Sequence, residues 1–337
     1  MAQDKQQHFF CTGGSEGIGL ELARAYIARN FSVSIVSRSR KKLDAAVEEL
    51  QALAKESGRT GRLFSAVADV GVCEQVLEAV RAAEAALGPI DLAVANAGVA
   101  IMGTFLDAPV SAFETTNRVN YLGVVHTLKA VLPGMVELRS GRMVIVASMA
   151  GFVGIGGFST YAPTKFALRG LADCVRNELA GTGVALSIGF PGMTSTNMTA
   201  NWGPEGRAAK EMLRVFGSHE HVSVTQAVRA MLAGLDQGAY ILPNAWPRNN
   251  ALVACCAGPA LLSVPLALLA ALLAPIMVLW NQLTVRAADR AMVKLRATQA
   301  AEAQAAVARD LASADEERRL RLLGAFTECM DTHRKGH

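Results

Sequence analysis

A run of glycines, Thr12-Gly13-Gly14-Ser15-Glu16-Gly17-Ile18-Gly19, joins a short apolar stretch, His8 to Thr12, to an amphipathic one, Gly17 to Arg29. Such a run has one economical use, a tight turn from a strand into a helix. Glycine takes backbone angles closed to other residues and lets main-chain N–H groups come close to a ligand. At the start of a helix those groups point outward at the positive end of the helix dipole. The turn therefore predicts a seat for a pyrophosphate. The spacing Gly13-x-x-x-Gly17-x-Gly19 differs from G-x-G-x-x-G, but the physical logic is the same.

The first 190 residues go on alternating β-branched runs with amphipathic stretches, the pattern of a parallel sheet wrapped by helices. Strands are expected at 8–12, 33–37, 63–67, 91–95, 142–147, 184–190 and 239–242. Helices are expected at 17–29, 41–56, 72–87, 111–138 and 225–235, with another that carries Tyr161. The fold class that follows is α/β, a doubly wound parallel sheet of Rossmann type. Between Met193 and His221 the pattern is irregular, which suits a lid over a site.

Tyr161 and Lys165 stand four residues apart, and Ser148 lies thirteen residues before the tyrosine. Residues four apart share a helix face, so a phenol and an ammonium there can meet. A neighbouring cation favours the phenolate, so Lys165 is expected to lower the pKa of Tyr161 and make it a usable proton donor and acceptor. At the end of the second strand, where a carboxylate would grip a ribose 2′-hydroxyl, the chain has Ser37-Arg38. A guanidinium there suits a 2′-phosphate, which favours NADPH over NADH. Glu16 runs against this, because a carboxylate near that phosphate would repel it.

Together these pieces resemble the short-chain dehydrogenase/reductase family. The resemblance rests on Thr12-Gly13-x-x-x-Gly17-Ile18-Gly19, Asp69-Val70, Asn96-Ala97-Gly98, Asn120, Ser148, Tyr161-x-x-x-Lys165 and Pro191-Gly192, in order across residues 8 to about 242. It implies a catalytic set of Asn120, Ser148, Tyr161 and Lys165. Tyr161 would protonate a carbonyl oxygen, Ser148 would hold that oxygen, and Lys165 would bind the nicotinamide ribose. Asn120 would bend its helix around a water of the proton relay. Gly13, Ser15, Gly17, Ile18, Gly19, Arg38, Asp69, Asn96, Tyr161, Lys165, Pro191 and Thr196 would bind the cofactor, with Asp69 at the adenine and Asn96 supporting the sheet and the cofactor wall. Pro163 departs from the family pattern, but a proline is tolerated in a helix's first turn.

Within the family the chain is most similar to the branch that reduces a long-chain keto-amine lipid in sphingoid-base synthesis. The stretches Val119-Asn120-Tyr121-Leu122-Gly123, Lys165-Phe166-Ala167-Leu168-Arg169-Gly170-Leu171-Ala172 and Phe190-Pro191-Gly192-Met193-Thr194-Ser195-Thr196 carry that likeness. The resemblance implies an endoplasmic reticulum membrane with the catalytic domain facing the cytosol. Met198, Trp202, Met212, Val215 and Phe216 offer an apolar wall for a lipid chain. A ketosteroid, retinal or a long-chain 3-ketoacyl thioester is the alternative substrate, and a membrane-anchored NADPH-binding scaffold the alternative outside enzymes.

From Asn249 to Val285 no side chain is charged. This length exceeds the ~20 residues of a membrane-crossing helix. The chain thus divides into a catalytic domain, 1–248, a hydrophobic membrane-associated segment, 249–285, and a charged helical tail, 286–337. Pro259, Pro265 and Pro275 disfavour a straight rod, and Arg286, Arg290, Lys294 and Arg296 crowd the far flank. These features favour a kinked hairpin over a single span. The net charge of +4 argues against nucleic acid as a partner. The six cysteines show no metal-ligand or disulfide spacing, and His219-Glu220-His221 point in different directions, so no metal is expected. A homo-oligomer is compatible with the sequence.

Overall fold

The computed structural model describes residues 6–200, 206–215 and 221–245, together with scattered residues between 250 and 309. Contacts divide the chain into two compact units, Met1–Val285 and Arg286–His337. In the second unit the described residues are helical, and Leu295 is buried.

The first unit is built on a seven-stranded sheet in the order β3-β2-β1-β4-β5-β6-β7, parallel throughout. The strands are β1 His8–Thr12, β2 Ser32–Ser37, β3 Leu63–Val67, β4 Leu92–Ala95, β5 Gly141–Val146, β6 Val184–Gly189 and β7 Ile241–Leu242. The helices of the wrapped sheet are α1 Gly17–Ala28, α2 Arg40–Glu56, α3 Cys73–Leu87, α4 Val110–Asn117, α5 Gly123–Glu137 and α6 Ala162–Glu178. Three more follow, α7 Asn197–Ala200, α8 Arg207–Val215 and α9 Val224–Asp236.

Alternation along each strand builds the two faces. In β1, Phe9 and Cys11 pack with Leu22, Ile27, Leu43, Leu50, Val228 and Met231, drawn from α1, α2 and α9. Phe10 points the other way, to Val80, Ala83, Leu128, Val131, Leu168 and Ala172 of α3, α5 and α6. A parallel sheet covered on both faces needs strands that are apolar throughout, and every residue of β1 is buried.

Two expectations need correcting. The single helix over 111–138 is interrupted, because a π-helical turn, Arg118–Leu122, separates α4 from α5. Tyr161 is not inside its helix either. It is the residue before α6, and Pro163 falls in the first turn, where its missing N–H costs nothing.

Among the described residues no helix is long and apolar enough to cross a membrane. Most of the charge-free segment 249–285 lies outside the described residues. Val253, which is described, is buried in the core on the face of α3, α5 and α6.

Candidate active site

In this strand order the chain turns one way from β1 and the other way from β4, which leaves a crevice at their C-terminal ends. The glycine loop lines it. Gly13 and Gly17 take left-handed backbone angles, φ 67° and 58°. A methyl group on Gly19 would lie 2.3 Å from the Gly13 carbonyl oxygen and 2.6 Å from Asn96 Nδ2. The loop therefore packs directly on Asn96, whose Nδ2 donates to the carbonyls of Thr12 at 3.2 Å and Gly13 at 3.1 Å. Thr12 Oγ1 accepts from the Asn96 amide in return.

Glu16 occupies the N-cap of α1, yet its side chain caps nothing, and the first turn carries no acid. The opening amides of α1 are left to point outward from a loop without side-chain bulk. That donor set fits the pyrophosphate of a dinucleotide. Thr196 closes over it, its Cγ2 3.3 Å from where a Gly17 methyl would stand. Ser15 Oγ donates to Ser37 Oγ at 2.9 Å, tying the loop to the end of β2. Ile18 packs partly buried against the α1, α2 and α9 face. Arg38 is exposed just past β2 and makes no ion pair among the described residues. The carboxylate of Asp69 accepts from the Gly71 amide at 2.8 Å. Pro191 accepts from the Met149 amide at 3.1 Å, which draws the turn after β6 toward Ser148.

Ser148 follows β5 in extended backbone and caps the short turn Met149–Gly151, its Oγ accepting from the Ala150 amide at 3.2 Å. The same hydroxyl lies beside the Tyr161 phenol and favours its ionised form. Lys165, one turn along α6, sets its Nζ 5.6 Å from the centroid of the tyrosine ring and donates to the Val146 carbonyl at 3.2 Å. Tyr161 and Lys165 are both buried. Asn120, in the π-helical turn, is fully buried and reaches Thr164, the neighbour of Lys165, at 3.3 Å. Thus Ser148, Tyr161 and Lys165 converge on the end of β5, with Asn120 behind them.

The direction of tuning differs from the sequence-based expectation. Burial pushes the Tyr161 phenol up to about 12, and the neighbouring Ser148 hydroxyl offsets only part of that. Burial also pushes Lys165 down to about 8. The cause is desolvation, which penalises phenolate and ammonium alike. At neutral pH Tyr161 is therefore a protonated phenol, a proton donor from the outset.

The sequence reading missed several partners. Lys42 and Asn197 both bind Glu16, and Thr164 backs the Asn120–Lys165 region. The lid is more ordered than its irregular sequence suggested. Helix α8 rests on Gly157, whose methyl would lie 2.5 Å from the Ala209 amide nitrogen. Ala209 then packs with Tyr161, Phe158 and Met102. Met212 is fully buried and Met198 is partly exposed. Trp202, Phe216 and the Val215 side chain lie outside the described residues.

Residues 7–206 match the family model for short chain dehydrogenase. The chain is 35% identical to a 3-dehydrosphinganine reductase of Danio rerio over 190 residues, 56% of this chain and 57% of that protein. The aligned stretch thus spans little more than half of that relative. A 3-ketodihydrosphingosine reductase of Dictyostelium discoideum is 32% identical over 256 residues, 70% of this chain and 74% of that protein. Among solved structures, an actinorhodin polyketide ketoreductase with NADPH superposes with a TM-score of 0.63 at 26% identity, covering 72% of this chain and 97% of that one.

Proposed function

The chain belongs to the short-chain dehydrogenase family, and from that premise we propose that it reduces 3-ketodihydrosphingosine, a long-chain keto-amine lipid, to dihydrosphingosine with NADPH. The observation that carries this reading is the cluster in which Ser148 lies beside the buried Tyr161 phenol while the buried Lys165 stands over the tyrosine ring.

A nicotinamide held by the glycine loop and Lys165 would supply the hydride for the carbonyl carbon. Tyr161, protonated at neutral pH, gives its proton to the carbonyl oxygen, so ketone, hydride and proton balance to a secondary alcohol. Ser148 holds the carbonyl oxygen beside that proton and stabilises the phenolate that Tyr161 becomes. Lys165, when charged, stabilises the same phenolate and binds the nicotinamide ribose. Asn120 fixes the backbone behind Lys165 and stands in the proton relay. Gly13, Ser15, Gly17, Ile18, Gly19, Asn96, Pro191 and Thr196 seat the dinucleotide. Asp69 serves the adenine side, and Arg38 the 2′-phosphate.

The keto-amine substrate is supported by the 3-dehydrosphinganine reductase and the 3-ketodihydrosphingosine reductase to which the chain is similar. A lipid ketone partitions into a bilayer, and the charge-free segment 249–285 suits a chain held where that ketone is concentrated. The reading accordingly places the catalytic domain on the cytosolic face of the endoplasmic reticulum membrane. The test is NADPH oxidation by detergent-solubilised protein given 3-ketodihydrosphingosine, a ketosteroid, retinal and a long-chain 3-ketoacyl thioester in parallel. Preference for the keto-amine upholds the substrate, and preference for another ketone replaces it.

A further inference from the structure

Glu16 is the only acid of the glycine loop, and its carboxylate joins three elements. It accepts from Lys42 Nζ of α2 through both oxygens, at 2.8 and 2.9 Å. Oε2 also accepts from Asn197 Nδ2 of α7 at 2.7 Å. Burial opposes ionisation, but Lys42 and Asn197 together hold the carboxyl below its ordinary range, so it is an anion at neutral pH.

The side chains of Lys42 and Glu16 are 51% and 41% exposed, and exposed ion pairs add little to stability. Stability therefore gives no reason for the arrangement, but its position does. The Ser15–Ser37 hydrogen bond sets this stretch of the loop beside the end of β2, where the ribose of a bound dinucleotide is read. Two side-chain donors thus converge on an anion there, and the anion is the protein's own carboxylate.

We propose that Glu16 is an internal stand-in for the 2′-phosphate of NADPH, and that Lys42 is a specificity-determining residue which exchanges the carboxylate for that phosphate. The inference rests on the nucleotide reading of this same site. It accounts for an acid in a loop that prefers a phosphorylated ribose. The dianion attracts Lys42 more strongly than a single carboxylate does, while NADH, with a neutral 2′-hydroxyl, leaves the Glu16–Lys42 pair intact.

The experiment measures Kd for NADPH and NADH by nucleotide fluorescence on the full-length chain in detergent, for wild type, Lys42→Met and Glu16→Gln. Lys42→Met is expected to weaken NADPH about tenfold and leave NADH within about twofold, the loss of one charge-assisted contact. Glu16→Gln removes the competing charge, and NADPH should tighten about three- to tenfold with NADH unchanged. Unchanged NADH binding also reports that each variant is folded. Equal shifts for both nucleotides, or no shift in either, would overturn the exchange while leaving the nucleotide reading in place. A wild-type chain that binds neither nucleotide would overturn both.

Discussion

Asn120 and Val99 pair as two strand residues would: the Asn120 side chain accepts from the Val99 amide at 2.8 Å and donates to its carbonyl at 2.9 Å. The pairing nails the π-helical turn to the segment that follows Asn96, so one buried side chain holds the back of the site together. Asn120→Ala would leave both partly buried Val99 groups unpaired beside a fully buried side chain. Unfolding free energy should fall by about 2–4 kcal/mol, the cost of two orphaned polar groups. Urea denaturation measures this, and a loss below about 0.5 kcal/mol would contradict it.

The glycine loop tolerates no side chain at its base. Gly19→Ala would press a methyl to 2.3 Å from the Gly13 carbonyl oxygen, a backbone atom that cannot swing aside. The loop must shift, at about 1–3 kcal/mol, and its outward amides shift with it. NADPH affinity should drop more than tenfold by fluorescence titration, roughly what losing one well-placed charge-assisted contact produces. Unaltered affinity would mean that the loop is not the phosphate seat.

Lys165 costs stability. Burial lowers its pKa to about 8, below that of the unfolded chain at about 10.4. The unfolded state therefore binds more protons between these values, and stability rises with pH through that window. The whole penalty is present below about pH 8, so Lys165→Met should stabilise the chain by about 2–3 kcal/mol at pH 7. Turnover by the same variant should fall about a hundredfold, the lower range for a lost proton-transfer aid. Destabilisation on removing Lys165 would show that the site does not strain it.

A pH profile separates the two groups. Tyr161, near 12, stays protonated over the working range, whereas Lys165 loses its charge as pH rises through about 8. Nothing cationic then offsets the phenolate left after proton transfer, so kcat for ketone reduction should decline above an apparent pKa of about 8. A profile flat to pH 10 would exclude charged Lys165 from the step.

Most of the frame is legible in the sequence because its signals are local. The strands at 8–12 and 63–67 are read to the residue, since each is a mostly apolar run beside turn residues. Tyr161 and Lys165 are found from their spacing and Ser148 from the family resemblance, and the three converge. Three features stay hidden because they depend on tertiary packing. No side-chain pattern marks the π-helical turn at Arg118–Leu122, which is set by where Asn120 finds Val99. Spacing shows the cation beside Tyr161 but not the burial that raises its pKa. The Glu16–Asn197 contact joins residues 181 apart, and only the folded loop brings them together.

The most direct measurement is a comparison of wild type with Tyr161→Phe, following both NADPH binding and NADPH oxidation with 3-ketodihydrosphingosine. In the proposed mechanism the phenol gives the proton, whereas the glycine loop seats the pyrophosphate. Turnover should therefore fall by about a thousandfold or more while NADPH affinity stays within about twofold. Turnover retained in the variant would contradict the assignment of Tyr161 as the acid.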